Sequence, residues 1–352
     1  MDERTRKMSN PRRRLPLPSI AIALFVLFMV WGGLRNWQNK PPVYVRTLIG
    51  GTGDPDVQAI YKFSHSSGDT GAVNPSGVYY SYDSIKDFLF AFETRSGTYL
   101  WQRKPPLKQG GGVGAIIVSQ STLYVTTALG VYACNAATGD VIWSSVLGEG
   151  HVSVVSQLEQ ERSILRIYYG DTIFEIDPIT GEILRSWPKG DLLWLEDQIE
   201  IYPATPAGLE GRDQTTGEVI WENRERAFLV DDKLTPMQIN PTTLLVKSEM
   251  RNYCTLDLSG GAYLWCSLDR FRANSAIHYE KMAGYALRDD FTLVEFDLQT
   301  GATLSETQFA PTKLSPNDNR GYSYFIAVTP DGEVLIFFGD SGELLVVKPN
   351  GA

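Results

Sequence analysis

Cysteine is scarce in this chain, with only three among 352 residues, at positions 134, 254 and 266. So few cysteines cannot frame a disulfide-rich scaffold, and no Cys-x-x-Cys pair indicates a metal site. Cys134 is expected to be a small buried apolar residue. Cys254 and Cys266 fall on the two strands of one predicted hairpin. If its loop is residues 258–261, Cys254 faces Trp265, and a disulfide then requires a bulge or another loop length.

The sequence also lacks the motifs of common catalytic sites. It contains no Gly-x-Ser-x-Gly, His-Glu-x-x-His or Walker motif, and the glycine run at 110–114 leads into a predicted strand rather than a helix. The acidic turns at 53–56 and 317–321 do not match the twelve-residue calcium loop. The histidines show no ligand spacing, and structural roles are expected for them: His65, His151 and His278. We therefore predict no catalytic residue, no cofactor and no bound metal.

Positive charge is concentrated at the N-terminus. The whole chain has a net charge of -9, with 32 basic and 41 acidic residues. Residues 1–40 hold eight basic and two acidic residues, a local charge of +6, so the remainder carries -15. An acidic body repels phosphate backbones, and no nucleic-acid partner is expected.

One long apolar run is present. Residues 19–34 carry no charge, three consecutive arginines (12–14) precede them, and Arg35 follows. This pattern predicts a transmembrane signal-anchor after a basic cytoplasmic tail, residues 1–18. A cleaved signal peptide is the alternative, although no clean small-x-small site follows the run. Either reading places the body outside the cytoplasm, in the periplasm or on the cell surface.

Residues 35–56 separate this run from the body. Proline pairs at 41–42 and glycine pairs at 50–51 disfavour regular structure, so the segment is predicted to be a stalk. Met1 and Met8 are both compatible with the start of translation, because each precedes the arginines.

No segment of the body keeps a 3.6-residue apolar period for three turns, which argues against helices. Instead, one pattern recurs: a strand, an acidic residue or Asn, a short variable stretch, Gly, three residues and Trp. Its glycines are spaced by 42, 42, 36, 44 and 40 residues. The six are Gly97, Gly139, Gly181, Gly217, Gly261 and Gly301.

Each position of this repeat has a physical reason. A four-residue hairpin loop commonly ends with a left-handed residue, where Gly has no Cβ to clash. The polar residue at the loop start can bind loop amides. The Trp on the next strand can wedge between neighbouring sheets. Four copies have it, as Trp101, Trp143, Trp221 and Trp265, whereas Arg185 and Ser305 replace it in the other two, so different packing is expected there.

A strand pair precedes each turn, which gives about four short strands in roughly 40 residues, one propeller blade. Residues 332–352 supply a strand pair without an outer strand, and residues 57–64 supply a strand without a blade. The sequence therefore predicts an all-β, seven-bladed β-propeller over residues 57–352. In it, residues 57–64 pair beside 343–348 and close the ring, which removes an open edge.

The pattern strand–Asp-x-x-Thr-Gly-x-x-x-Trp resembles the PQQ-like, or quinoprotein-alcohol-dehydrogenase-like, β-propeller repeat. The resemblance covers about residues 57–352 and is best at 77–101 and 121–143. The cofactor-bearing dehydrogenases of this family have eight blades, an adjacent cysteine pair, a catalytic Asp and a bound ion. This chain has seven predicted blades and no adjacent cysteines. It is more similar to the non-enzymatic propellers, such as the outer-membrane assembly scaffold, although it lacks their lipid-attachment cysteine and has one blade fewer.

The resemblance implies a non-catalytic interaction scaffold in the cell envelope, anchored through residues 19–34, with another envelope or membrane protein as partner. Charged loops such as 102–109 and 222–227 are candidates for the contact. The alternatives are a PQQ-type cofactor-binding oxidoreductase and a propeller that binds a small ligand or polysaccharide. Retention of added cofactor with calcium at one equivalent would favour the oxidoreductase.

Overall fold

The computed structural model describes fourteen stretches of the chain: residues 43–45, 57–62, 67–84, 86–106, 112–148, 156–159, 164–196, 198–204, 208–224, 236–247, 252–271, 275–308, 324–338 and 343–348. All regular elements in these stretches are β-strands, and they lie in the unit Pro42–Ala352.

Several sequence-based predictions fall outside these stretches. The predicted basic tail and membrane segment, residues 1–34, are among them, as are His65, His151 and the turns at 53–56 and 317–321. Within the described residues, no helix has the length and apolarity that crossing a membrane requires.

Two strands precede the first blade: β1 (Val43–Val45) and β2 (Val57–Lys62). Seven antiparallel sheets are then built in chain order, as predicted. Blade 1 consists of β3 (Ser67–Val73), β4 (Val78–Asp83), β5 (Phe88–Glu93) and β6 (Thr98–Arg103). Blade 2 consists of β7 (Val113–Ser119), β8 (Thr122–Thr127), β9 (Gly130–Asn135) and β10 (Val141–Val146). Blade 3 consists of β11 (Ser156–Glu159), β12 (Ile164–Tyr169), β13 (Thr172–Ile176) and β14 (Ile183–Pro188).

The next three blades repeat this arrangement. Blade 4 consists of β15 (Trp194–Glu196), β16 (Ile199–Pro203), β17 (Leu209–Asp213) and β18 (Val219–Asn223). Blade 5 consists of β19 (Met237–Asn240), β20 (Thr243–Lys247), β21 (Tyr253–Asp257) and β22 (Tyr263–Cys266). Blade 6 consists of β23 (Ala276–His278), β24 (Ala283–Leu287), β25 (Thr292–Asp297) and β26 (Thr303–Gln308). The prediction of an all-β, seven-bladed propeller is confirmed.

Blade 7 is assembled from both ends of the body. Its inner strands are β27 (Tyr324–Val328), β28 (Val334–Phe338) and β29 (Glu343–Val347). Strand β2 pairs antiparallel with β29, with Tyr61 opposite Leu344, so the predicted closure by an N-terminal strand is confirmed. Strand β1 pairs outside β2 as a fifth strand. The expectation that residues 35–56 contain no regular structure is therefore wrong at Val43–Val45, where an edge strand is available for pairing.

Seven hydrophobic clusters lie at the seven junctions between neighbouring blades. The junction of blades 7 and 1 is one of them, where Tyr61 and Leu344 pack against Tyr79 and Phe92. Among the described residues, the junction of blades 3 and 4 has the smallest cluster, with only Tyr168, Ile173 and Leu192 fully buried in it. Because each sheet buries its faces against two neighbours, the ring rather than any single blade forms the core.

Truncation of the Tyr61 side chain tests whether it contributes to closing the ring of blades. Tyr61 is 2% exposed, its ring lies edge-on to Phe92 with centroids 4.8 Å apart, and its hydroxyl donates to the Thr94 carbonyl. We expect Tyr61→Ala to lower the free energy of unfolding by about 3–5 kcal/mol, because it empties a packed aromatic site. Tyr61→Phe keeps the ring and should cost only about 1 kcal/mol. Denaturant unfolding of the full chain measures both, and equal small effects would contradict closure through this side chain.

Candidate interaction surface

Four tryptophans connect neighbouring blades in one common geometry. Each stands on the outer strand of its blade and lies over the turn glycine of the next: Trp101 over Gly139, Trp143 over Gly181, Trp221 over Gly261 and Trp265 over Gly301. A Cβ on any of these glycines would come within 3.0 Å of the ring. The indole N–H donates at 2.7–2.9 Å to the carbonyl three residues before the glycine, on Ala136, Pro178, Leu258 or Leu298. We call this arrangement a ring dock.

A fifth ring dock is filled by tyrosine. Tyr61 of β2 lies over Gly97 of blade 1, where an added Cβ would approach its ring to 2.9 Å. Its hydroxyl donates to Thr94, the carbonyl three residues before that glycine. Tyr61 arrives on a strand that pairs with blade 7 from outside the repeat. A ring dock therefore accepts an aromatic side chain from a segment remote in sequence.

The dock between blades 3 and 4 is formed, but no ring of a described residue lies over its glycine. No described atom lies within 4 Å of the point where a Cβ on Gly217 would sit. The turn itself matches the others, because Gly217 has φ +72° and its amide donates to the Asp213 carbonyl at 2.8 Å. Of the six turn glycines, Gly217 alone is exposed. In blade 7 the residues that follow the third strand, 349–352, lie outside the described residues, so the dock for blade 6 is not described.

The residue opposite each tryptophan explains which blades can carry one. In the four blades with tryptophan, the strand partner is short: Ala91, Ala133, Gly211 and Thr255. At Gly211 even a Cβ would come within 3.0 Å of the Trp221 ring. In the two blades without tryptophan, the partner is Glu175 or Glu295. When the outer strand itself carries the ring, the residue opposite it must therefore be short.

In blade 3 the glutamate is held by two arginines. Glu175 accepts from Arg166 at 3.0 Å and from Arg185 at 2.9 Å, and the Arg166 side chain is only 1% exposed. Burial raises the pKa of Glu175, but the hydrogen bonds and charges of Arg185 and Arg166 outweigh it and hold the pKa below its usual value. Glu175 is therefore ionised at neutral pH, and it holds the Arg185 guanidinium by hydrogen bonds to both of its oxygens.

The carboxylates at the loop starts serve their own turns. Asp213, for example, accepts from the amides of Thr215 and Thr216, both at 2.8 Å. Such backbone hydrogen bonds lower the pKa of the carboxyls of Asp177, Asp213 and Asp297. No cluster of three or more potential metal ligands occurs in the described part of the chain.

A β-bulge precedes the tryptophan position in all six complete blades. Each register shift leaves one outer-strand residue without an opposite partner. The side chain of the extra residue in a bulge does not follow the regular alternation between the two faces of the sheet. That residue is always a leucine or isoleucine and is 47–57% exposed: Leu100, Ile142, Leu184, Ile220, Leu264 and Leu304.

Blades 2, 3 and 4 expose a second aliphatic residue beside the bulge. The six residues of these three blades form the surface that we call the aliphatic rim: Val141, Ile142, Ile183, Leu184, Val219 and Ile220. Blades 1 and 5 have partly buried tyrosines at the second position, and blade 6 has Thr303. Exposed apolar patches are typical of interaction sites. The rim was not predicted from the sequence, although an aliphatic residue three places after the turn glycine, directly before the tryptophan position, recurs in every copy.

The bulge of blade 5 also determines the cysteine pairing. The loop is as predicted, since the Asp257 amide donates to the Ala262 carbonyl at 2.9 Å. The regular register from that loop would place Cys254 opposite Trp265, but the extra residue Leu264 shifts it to Cys266. The two cysteines form a disulfide with Cα atoms 4.1 Å apart. Cys134 is buried, as expected.

The remaining candidates have local structural partners. His278 is buried, its Nε2 lies 3.0 Å from the Pro330 carbonyl, and its Nδ1 accepts from the Lys281 amide at 3.3 Å. Only residues 102–106 and 222–224 of the two charged loops are described. In them, Arg103 lies 3.5 Å from Asp140 and Arg224 lies 2.6 Å from Glu222. These contacts do not single out either loop as a binding site.

Comparison with known proteins identifies the repeat. Residues 86–189 match the family model PQQ_2, described as outer membrane protein assembly factor BamB. The PQQ-like character of the repeat is thereby confirmed for these residues. No curated protein matches the chain.

Three solved structures match the chain. BamB from Moraxella catarrhalis has 15% identity over 89% of this chain and 98% of its own, with a TM-score of 0.49. Chaetomium thermophilum Raptor has 9% identity over 83% of this chain but 29% of its own, with a TM-score of 0.64. A chain of the mitotic checkpoint complex has 10% identity over 86% and 95%, with a TM-score of 0.62. At such identities, the latter two show a shared propeller fold alone.

Alanine substitutions at two equivalent turn glycines test whether an aromatic ring lies over one of them and not over the other. Gly261 and Gly217 have nearly the same backbone, with φ of +70° and +72°. An alanine should cost about 1–2 kcal/mol of unfolding free energy at either, because of the left-handed conformation. Gly261→Ala must also displace the Trp221 ring, which should cost a further ~1–3 kcal/mol. Denaturant unfolding of both variants measures the difference, and equal losses would mean that the Gly217 dock is filled.

Counting reactive thiols tests the cysteine assignments. Burial raises the pKa of the Cys134 thiol to about 12, so the native protein should not react with a maleimide at neutral pH. Unfolding without reductant should expose one thiol, and unfolding with reductant should expose three, because Cys254 and Cys266 are paired. Exposed free thiols are blocked while the protein is isolated. Mass spectrometry then counts the maleimide adducts formed on unfolding. Three adducts without reductant would exclude the disulfide.

Proposed function

We propose, from the PQQ-like repeats of residues 86–189, that this chain is an extracytoplasmic β-propeller that acts as a protein-interaction scaffold in the cell envelope. It is anchored in the membrane by residues 19–34, its N-terminus is cytoplasmic, and its partner is another envelope or membrane protein. The scaffold has no catalytic role. The matching family model is described as an outer-membrane protein assembly factor, which supports this class of function.

The aliphatic rim is the observation that carries the proposal. Edge strands of soluble proteins are usually protected by charged side chains, prolines or a covering element. Here the outer strands of blades 2–4 expose pairs of aliphatic residues instead: Val141 with Ile142, Ile183 with Leu184, and Val219 with Ile220. Exposed apolar surface of this kind is stabilised when a partner covers it. We therefore assign the partner contact to the rim rather than to the charged loops.

Two further observations support the cellular location. The disulfide between Cys254 and Cys266 is stable in oxidising compartments outside the cytoplasm. The uncharged run 19–34 follows three arginines, which is the arrangement that places the N-terminus inside and the body outside.

Charge substitutions at equivalent bulge positions test the role of the rim. The rim variant combines Ile142→Lys, Leu184→Lys and Ile220→Lys. The matched control combines Leu100→Lys, Leu264→Lys and Leu304→Lys, which have similar exposure on blades 1, 5 and 6. Each tagged full-length chain is purified from detergent-solubilised membranes of its native host, and copurifying proteins are quantified by mass spectrometry. We expect the rim variant to lose a specific partner by about tenfold or more, which corresponds to about 1.4 kcal/mol of binding free energy.

The control variant should retain that partner, because its substitutions lie outside the rim. Both variants should unfold at the same denaturant concentration as the parent, since all six side chains are half exposed. Retention of the same partners by the rim variant would refute the assignment, and so would an equal loss in both variants.

A further inference from the structure

We propose that the open ring dock over Gly217 is a binding site for an aromatic side chain, above all a tryptophan, carried by an extended segment of a partner protein. This inference deepens the proposed function and rests on it. It names the feature that the scaffold recognises and the place, between blades 3 and 4, where the feature binds.

The site is already shaped for its ligand. The Gly217 amide donates to the Asp213 carbonyl and the Asp213 amide donates to the Glu218 carbonyl, at 2.8 and 2.9 Å, as in the occupied turns. Gln214 occupies the position whose carbonyl accepts the indole N–H in the four tryptophan docks. Because this turn already has the conformation of the occupied turns, binding would cost little additional conformational entropy.

The chain itself shows what such a dock accepts. Five equivalent turns carry an aromatic ring, and in each the ring is bound by contact with glycine and by one hydrogen bond. In the fifth, Tyr61 reaches the dock from a strand added along the edge of a blade. Strand β14 already occupies the fourth-strand position of blade 3, so a partner segment would lie outside it as a fifth strand, as β1 does on blade 7, and extend its side chain over Gly217.

The surroundings of the dock favour a partner at this junction. The dock lies on the outer side of the blade 3–blade 4 interface, whose buried cluster is the smallest among the described residues. The aliphatic rim lies on both sides, with Leu184 on blade 3 and Ile220 on blade 4. Arg185 occupies the tryptophan position of blade 3, but its guanidinium binds Glu175. A segment bound here would cover exposed aliphatic residues while its ring enters the dock.

Tryptophan fits better than an aliphatic residue because the dock offers two kinds of contact. The flat face above Gly217 admits a ring, and the Gln214 carbonyl is an acceptor for a ring N–H. A buried pairing of this kind discriminates against ligands that leave the acceptor unpaired. Leucine could fill part of the space but could not make the hydrogen bond.

The test uses N-acetyl-L-tryptophanamide fluorinated on its indole ring, with the purified full-length chain in detergent. We expect saturable broadening of the fluorine resonance in the millimolar range, as befits a single side chain. Unlabelled N-acetyl-L-tryptophanamide should reverse the broadening, and N-acetyl-leucinamide should not. Absence of saturable broadening up to about 10 mM would overturn the proposal.

Gly217→Ala is the blocking variant. Its methyl group meets no described atom in the free protein, but in the occupied docks it would strike the ring. The matched control is Gly170→Ala, a half-buried turn position with positive φ and no described atom nearby. We expect Gly217→Ala to weaken probe binding at least about tenfold and Gly170→Ala to leave it unchanged. Equal binding by the Gly217→Ala variant would place the probe elsewhere and overturn the assignment.

A second variant fills the dock from within. It combines Arg166→Tyr, Glu175→Ala and Arg185→Trp, and so copies the trio Tyr124, Ala133 and Trp143 of blade 2. If its denaturation midpoint matches or exceeds that of the parent, the chain is folded. Loss of probe binding in this folded variant would then support the site, and unchanged binding would contradict it.

Partner capture separates failure of this inference from failure of the proposed function. If the partner that the rim variant loses is retained by Gly217→Ala, the dock does not recognise it and the inference fails, while the scaffold proposal stands. If the probe binds but the rim variant loses no partner, the scaffold proposal fails and the dock remains. If Gly217→Ala converts a self-associated chain to monomers, the occupant is a second copy, which overturns the partner assignment.

Discussion

The fold depends on one contact, an aromatic ring laid over a glycine of the neighbouring blade. A four-stranded sheet of about 30 residues has two faces to bury and cannot be stable alone. The ring dock joins such sheets at their outer ends, where Trp101, Trp221 and Tyr61 extend the buried clusters between blades. It requires a left-handed glycine on one blade, a short residue behind the ring on the other, and a bulge that aims the ring. These three requirements account for most of the regularity in the sequence.

The glycine and tryptophan of the dock were visible in the sequence, and they were sufficient to predict seven blades and their closure. The glycine is required by local backbone geometry, so it recurs at each turn. Tryptophan is large and scarce, so its recurrence is readily detected. Residues 57–64 could be assigned to blade 7 because a sheet with a missing outer strand and a strand with no sheet are complementary. The number of blades and the closure of the ring can therefore be predicted from the positions of these residues in the sequence.

The bulge could not be predicted, and several further features depend on it. A one-residue shift moves every later side chain to the opposite face of its strand. The shift is also present in blades 3 and 6, which have Arg185 and Ser305 at the ring position, so the residue at that position does not indicate it. For this reason the regular register separated Cys254 from Cys266, although the structure pairs them. The role of Tyr61 was hidden in the same way, because its glycine partner is in a different blade.

The bulge links stability to interaction, because the residue before the ring must point outwards when the ring points inwards. Every complete blade therefore exposes one aliphatic residue as a consequence of its own bulge. Blade 3 has the bulge and the outward Leu184, but an arginine bound to Glu175 stands at the ring position. The Arg185 side chain is 55% exposed, so its ion pair with Glu175 contributes little net stability. Among the described residues, no ring therefore strengthens the blade 3–blade 4 junction at Gly217. Blade 4 nevertheless has the same left-handed turn as the occupied docks, with exposed aliphatic residues on both sides, and these are the parts of a dock that a binding segment would use.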